Sequence, residues 1–263
     1  MRQDRKKSDG AAQFEDYYQA IWADRWPSLR AALLEQRQPA AFSDGLEKPY
    51  YMDEASILTA SLLPLHEGCR VLDMCAAPGG KTLVLASRLA GRGSIVANDR
   101  SRDRKARLDR VLDEHLGPEL RKSVKSTCRD ASKWGLYEKE AYDSILLDAP
   151  CSSERHVISS PGHLSIWSPR RPRRLAIEQY ALLSSAFMAL REGGYLLYST
   201  CSVNPGEDEE VIARLFKKRE GLVEEAEVNA EGAQKCSFGY IVLPDMAAGR
   251  GPMYYCLLRK LEK

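Results

Sequence analysis

Short apolar runs recur along this chain and close on polar residues, the pattern of strands buried on both faces of a parallel sheet. The first, in "VLDMCAAPGGKTLVLA" (71–86), ends at Asp73, passes through a Pro/Gly loop and enters a helix-forming stretch. "GSIVANDRS" (93–101) gives a second strand ending at Asp99, "SVKST" (123–127) a third followed by Asp130 and Trp134, and "YDSILLD" (142–148) a fourth ending at Asp148. A fifth, in "YLLYSTCS" (195–202), runs into Cys201. Between these strands the apolar spacing becomes helical. "SRDRKARLDRVLDEHL" (101–116) places Ala106, Leu108, Val111 and Leu112 on one side, and "NPGEDEEVIARLFKKRE" (204–220) has acids in its first turn and bases in its last, as the helix dipole prefers. Near the start, Phe14, Tyr17, Tyr18, Ile21 and Trp22 form one helical stripe that Pro27 interrupts before "SLRAALLE". The C-terminus, from "EGLVEEAEV" and "GYIVLP" to "GPMYYCLLRK", is β-rich. Strands alternating with helices predict an α/β fold. The connection between Asp148 and the prolines near 170 has little periodicity and reads as a long loop covering the substrate.

The candidate chemistry sits at the carboxyl ends of the strands, where open α/β sheets bind ligands. Cys151 in "ILLDAPCSS" and Cys201 in "YLLYSTCS" are fifty residues apart, too far for a Cys-x-x-Cys redox or zinc pair, so only the fold can bring them together. As isolated cysteines, both read as small apolar side chains. The loop at 75–81 points backbone amides at a ligand, but "GGKT" lacks the earlier glycine of a phosphate loop, where Cys75 stands. "CAAPGG" also lacks the dinucleotide fingerprint, which leaves another adenosine-bearing ligand. Asp99, twenty residues after Gly79, is placed to accept hydrogen bonds from ribose hydroxyls. A lone aspartate after a strand is commonly a cap or turn former, and four after four successive strands exceed that expectation.

Taken in order, "DMCAAPGGKT", "NDRS", "DAPCS" and "YSTCS" resemble the Sun (Nop2-type) family of RNA cytosine-5 methyltransferases over roughly residues 50 to 263. "WPSLRAALLE", "YYMDEAS", "DAPCSSERH" and "GPMYYC" look closest to its mitochondrial small-subunit ribosomal RNA member and that member's transfer-RNA-modifying relative. The resemblance implies a Rossmann-like class I methyltransferase fold: a seven-stranded, mostly parallel sheet with helices on both faces and an antiparallel edge hairpin. Residues 66–263 form the catalytic domain, and residues 1–65 a helical extension packed on it. The implied cofactor is S-adenosylmethionine, contacted by Cys75, Ala76, Ala77, Pro78, Gly79, Gly80 and Lys81, with Asp99 on its ribose, Arg104 against it and Asp130 on the adenine side. Asp148 is implied to lie between cofactor and base, near N3 of cytosine.

Cytosine C5 is a poor nucleophile, so the chemistry requires a thiolate to add to C6 first. By resemblance Cys201 attacks and Cys151 assists removal of the C5 proton and release of the adduct, the reverse of DNA cytosine-5 methyltransferases. Lys81 is the cation expected to lower the pKa of the attacking thiol. The Asp/Asn-Pro-Pro-aromatic loop of amino-methylating enzymes is absent, since this chain reads Asp148, Ala149, Pro150, Cys151. Two rival readings are a transfer RNA substrate and a catalytically silent RNA-binding assembly factor.

The remaining features adjust this picture. With 263 residues, 44% hydrophobic and 29% charged, the chain can bury one full α/β core. Seven cysteines without a Cys-x-x-Cys pair are expected to be reduced, and the mixed-charge start is unlike a transit peptide, so a cytoplasmic location is expected. There is no apolar run of membrane-spanning length. Net charge is only +2, so an RNA footprint must be local. Arg170, Arg171, Arg173 and Arg174 open a helix whose dipole opposes them, and either phosphates or acids such as Glu178 are expected to compensate. Trp167 is read either as a base-stacking platform or as an anchor. His156 and His163 lack metal-ligand spacing and are read as RNA-facing or structural, with no metal site predicted. The extension is too short for a full RNA-binding module, so target selection is expected to use structured RNA or a protein partner.

Overall fold

The computed structural model describes residues 9–262; the first eight residues, which carry much of the mixed-charge start, lie outside the described residues. In chain order the strands are β1 (Ala40–Phe42), β2 (Tyr50–Met52), β3 (Arg70–Asp73), β4 (Ser94–Asn98), β5 (Val124–Thr127), β6 (Tyr142–Asp148), β7 (Leu190–Thr200), β8 (Val223–Glu225), β9 (Gln234–Lys235), β10 (Tyr240–Val242) and β11 (Met253–Lys260). The α-helices are α1 (Gly10–Trp22), α2 (Trp26–Leu34), α3 (Glu54–Ser61), α4 (Gly80–Leu89), α5 (Arg102–His115), α6 (Pro118–Lys122), α7 (Trp134–Tyr137), α8 (Glu154–Ile158), α9 (Pro161–Ser165), α10 (Arg170–Ala189) and α11 (Glu209–Lys218). Pro27 sits in the first turn of α2, where its missing N–H costs nothing.

The main sheet runs β5-β4-β3-β6-β7-β11, parallel from β5 to β7 and antiparallel between β7 and β11. It has nine strands where seven were expected. The extra pairing follows from the length of β11: β8 covers Leu258–Lys260, and β10, with β9 beyond it, covers Met253–Tyr255. An eight-residue edge left half unpaired would expose a row of backbone donors and acceptors. Side chains alternate between two cores. Leu72, Leu147 and Tyr198 face the cluster that includes Phe14, Tyr18 and Trp26, while Val71, Leu146 and Leu197 face α4 and α5 through Leu83 and Leu108.

The chain moves from β3 toward β4 and β5 on one side, then returns to β6 and β7 on the other, so a crevice opens at the carboxyl end of β3 and β6. The segment after Asp148 corrects the expectation of an irregular loop. It folds into α8 and α9, with Val157 and Ile158 buried and Pro161 starting the second helix. Among the described residues no helix is long and apolar enough to cross a membrane.

Candidate active site

A cleft of about 560 Å³ lies at the ends of β3, β4 and β5, lined by Cys75, Asn98, Asp99, Arg104, Asp130 and Pro150 among others. Its loop turns at Gly79, whose φ of 123° and position at the start of α4 suit only glycine; a Cβ there would lie 3.0 Å from Val111. Gly80 is equally confined, since its Cβ would lie 2.7 Å from the Met52 sulfur. Ala76 N–H donates to the Asn98 carbonyl at 2.7 Å, and Arg104 donates to the Ala77 carbonyl at 2.7 Å. Arg104 also pairs with Asp99 at 3.3 Å, and Asp99 accepts from Ser101 N–H at 2.9 Å. Asp130 takes the capping role: it accepts from the Ser132 hydroxyl and N–H at 2.7 and 3.1 Å, and the hydroxyl bond above all holds its pKa below the usual carboxylate range. Burial pushes Asp73 up to about 7 against the Thr82 hydroxyl at 2.7 Å, and its other oxygen is buried with no donor.

Of the predicted cofactor residues, Cys75, Asp99, Arg104 and Asp130 line this cleft, while Ala76, Ala77, Pro78, Gly79 and Gly80 shape the loop behind it. The size of the cleft and the carboxylates of Asp99 and Asp130 on its wall, acceptors for ribose hydroxyls, fit S-adenosylmethionine.

The two thiols meet because β6 and β7 are adjacent and in register, Asp148 opposite Ser199. Cys151 Sγ and Cys201 Sγ are 3.2 Å apart, and Ser153 Oγ lies 3.3 Å from the second. The hydrogen bond from Cys151 lowers the Cys201 pKa against burial, with Ser153 acting in the same direction. The same bond, together with burial, raises Cys151 well above its ordinary value. Of the two thiols, Cys201 is therefore the one that ionises more readily. Cys201 lines a cavity of about 490 Å³ with Asp53, Ser153, Arg155, His156 and Met253.

Lys81 does not line the cofactor cleft. Its ammonium donates to Asp148 at 2.8 Å and reaches Ser56 at 3.4 Å; burial lowers its pKa, and Asp148 more than offsets that. Ser199 donates to the other oxygen of Asp148 at 2.9 Å. Lys81 is bonded to Asp148 and also interacts electrostatically with Cys201, but the largest lowering of the Cys201 pKa comes from the neighbouring Cys151 S–H, with the Ser153 O–H adding to it.

Two carboxylates that sequence reasoning missed lock the cysteine loops together. Glu154, three residues after Cys151, accepts from the Ser202 hydroxyl at 3.0 Å and Val203 N–H at 3.2 Å in the Cys201 loop, and from Tyr18 of α1 at 2.5 Å. Glu207, six residues after Cys201, accepts from the hydroxyl and N–H of Ser152 in the Cys151 loop and from Gln179 of α10 at 3.0 Å. Both are fully buried. The charge pattern of 204–220 places Glu207 in the solvated first turn of a helix, but α11 starts only at Glu209. Helix α1 adds Trp22, which donates to the Val203 carbonyl at 3.0 Å, and Tyr17, which accepts from Asn204 at 3.1 Å.

Trp167 is 3% exposed and packs on Phe14, Tyr17 and Tyr18, so it is an anchor and not a base platform. Arg170, Arg171, Arg173 and Arg174 lie at the surface, and among the described residues none forms an ion pair, Glu178 included. His156 faces the Cys201 cavity and stands 4.9 Å from the His163 ring. His66, Cys69 and Asp143 cluster at the amino ends of β3 and β6, where Asp143 pairs with Arg191 and accepts from Arg70 N–H.

This strand order, with an antiparallel last strand and a cofactor cleft at the carboxyl ends, is that of a class I S-adenosylmethionine-dependent methyltransferase. A family model described as 16S rRNA methyltransferase RsmB/F matches residues 60–259, and the chain belongs to that family. It is 34% identical over 265 residues to the 5-cytosine rRNA methyltransferase NSUN4 of Bos taurus, covering 92% of this chain and 68% of the relative. It is 32% identical over 228 residues to the mitochondrial tRNA (cytosine(34)-C(5))-methyltransferase of Danio rerio, covering 82% of this chain and 62% of that one. NSun6 from Pyrococcus horikoshii, solved with the S-adenosylmethionine analogue SFG, superposes with a TM-score of 0.71 at 28% identity, over 84% of this chain and 55% of that one.

Proposed function

We propose that this chain methylates C5 of a cytidine in ribosomal RNA through a covalent bond between Cys201 and C6. It is an S-adenosylmethionine-dependent RNA cytosine-5 methyltransferase. The observation that carries the covalent reading is the pair of sulfurs 3.2 Å apart, one lowered in pKa and facing a cavity, the other raised and behind it. Cys201 adds to C6, which makes C5 nucleophilic. Asp148, aligned by Lys81 and Ser199, accepts a hydrogen bond from the cytosine 4-amino group at the ring's N3 edge and so orients C6 for attack. Bound S-adenosylmethionine supplies the electrophilic methyl that C5 takes up. Once Cys201 has bonded to C6, Cys151 gives its own proton to solvent and then removes the proton on C5, and the C6–S bond breaks to return the Cys201 thiolate.

The unpaired arginines of α10 are assigned to RNA phosphates. His156 and His163 bridge the surface from the Cys201 cavity to the cleft that Arg170, Arg171 and Arg174 line.

The test incubates Cys151→Ala and Cys201→Ala variants with ribosomal subunits, small RNA and labelled S-adenosylmethionine, followed by denaturing gels. An adduct that accumulates only with Cys151→Ala, on ribosomal RNA, is the expected outcome. An adduct with Cys201→Ala instead would reverse the roles, and one on transfer RNA would replace the substrate. RNA binding by the wild type without methyl transfer would leave an assembly factor.

A further inference from the structure

Ser153 combines three features that are each unusual for a serine. Its backbone is left-handed, at φ 52° and ψ 59°, a region that side chains with a Cβ rarely occupy. It stands at the N-cap of α8, where serine ordinarily accepts a hydrogen bond from the first turn, yet its side chain caps nothing. Its hydroxyl lies 3.3 Å from Cys201 Sγ, closer than to its other two neighbours, Cys151 Sγ and the Cys151 carbonyl, each at 3.5 Å, on the wall of the cavity that Cys201 lines.

The strain persists because both neighbours are fixed. Ser152 is tied to Glu207, and Glu154 to Tyr18, Ser202 and Val203, so the residue between them has no freedom to relax. Strain over-determined in this way, at a reacting atom, is characteristic of functional positions.

We propose that Ser153 is a catalytic residue whose hydroxyl donates a hydrogen bond to the Cys201 thiolate, both before attack and as the sulfur leaves C6. This rests on the covalent reading above. Cys151 cannot serve throughout: its S–H is the other donor to Cys201, and that proton is gone when Cys151 acts as base on C5. Cys151 regains an S–H only by taking the C5 proton, so until that transfer Ser153 is the donor that stays within reach of the sulfur.

The titratable and charged groups around Cys201 are Asp148 at the end of β6, Lys81 on α4, Cys151 and Glu154 on the loop and α8, and Glu207 and Asp208 after β7. Asp53, Arg155 and His156 line the cavity. All of them survive substitution of Ser153, so a change in the titration of Cys201 reports the hydroxyl.

The experiment compares Ser153→Gly and Ser153→Ala in the full chain. It follows alkylation of the Cys201 peptide by iodoacetamide against pH, thermal unfolding, and methyl transfer. Glycine adopts φ 52° without strain, so Ser153→Gly is expected to melt at or above the wild type. Its Cys201 alkylation midpoint is expected to rise by about one pH unit, with methyl transfer at neutral pH about tenfold lower and the RNA KM unchanged. Ser153→Ala is expected to match it in alkylation and turnover while melting lower. A Ser153→Gly variant with the wild-type alkylation profile and turnover would overturn the proposal, as would activity that falls only in step with melting temperature. If the wild type transferred no methyl at all, the covalent function would fail, and the alkylation profile would still decide whether Ser153 tunes Cys201.

Discussion

Asp148 holds Lys81 with one oxygen and takes the Ser199 hydroxyl with the other, so its carboxylate is aimed before any substrate arrives. Asp148→Asn separates two effects that usually fall together. The Lys81 side chain, 12% exposed, loses its anionic partner, which costs about 2 kcal/mol, below the range for fully buried pairs because Asp148 is 32% exposed. Cys201 loses a negative neighbour that raises its pKa, so its alkylation at neutral pH is expected to speed up. Methyl transfer is expected to fall about a hundredfold through loss of the N3 contact. Parallel measurement of alkylation and turnover checks this, and a joint rise would remove Asp148 from the chemistry. The cysteines and Asp148 are legible in the sequence because each sits at the end of an apolar run. Glu154 and Glu207 are not, because acids near helix starts are ordinarily solvated. Their burial is decided by partners distant in sequence, Tyr18 for one and Ser152 for the other.

At the scale of elements, α1 is a brace for the cysteine loops. Its aromatic stripe is readable, but hydrophobic periodicity predicts only that a face is buried, not that Tyr17, Tyr18 and Trp22 make polar contacts with the 154 and 203–204 segments. Tyr18→Phe keeps the packing and removes one donor from a fully buried carboxylate, so it is expected to cost about 1–3 kcal/mol in urea unfolding and to lower turnover. Unchanged stability would show that Glu154 finds another donor. Helix α10 gives the contrasting case. Its first-turn arginines are visible as a cluster, and among the described residues none of them forms the ion pair with Glu178 that the sequence allows. Replacing Arg170, Arg171, Arg173 and Arg174 by Ala removes up to four phosphate contacts. The slope of log affinity against log salt is then expected to shrink by about 3, with turnover at saturating RNA unchanged. The connection after Asp148 reads as loop in the sequence because five-residue helices are too short to show a helical period.

For the molecule as a whole, the buried acids set a direction in pH. Burial raises Glu207 to about 8 from 4.5 and Asp73 to about 7 from 3.8, and Glu154 and Asp208 move the same way. A carboxyl with a raised pKa binds its proton more tightly folded than unfolded. Between about pH 4 and pH 8 the folded chain therefore holds more protons, and stability declines as pH rises through that window. A tenfold difference in proton affinity between the folded and unfolded chain is worth about 1.4 kcal/mol, so Glu207 alone accounts for a few kcal/mol between the two ends. Thermal melts from pH 5 to pH 8.5 are expected to show a falling midpoint, and Glu207→Gln to show a shallower fall whatever its absolute stability, since the amide does not titrate. A slope unaffected by the substitution would place the pH dependence elsewhere. The Cys201 thiolate needs the opposite, because its population grows with pH. The acids that clasp the cysteine loops therefore weaken the fold under the conditions that charge the nucleophile, and the hydrogen bonds from Cys151 and Ser153 reduce that conflict by lowering the pH at which Cys201 ionises.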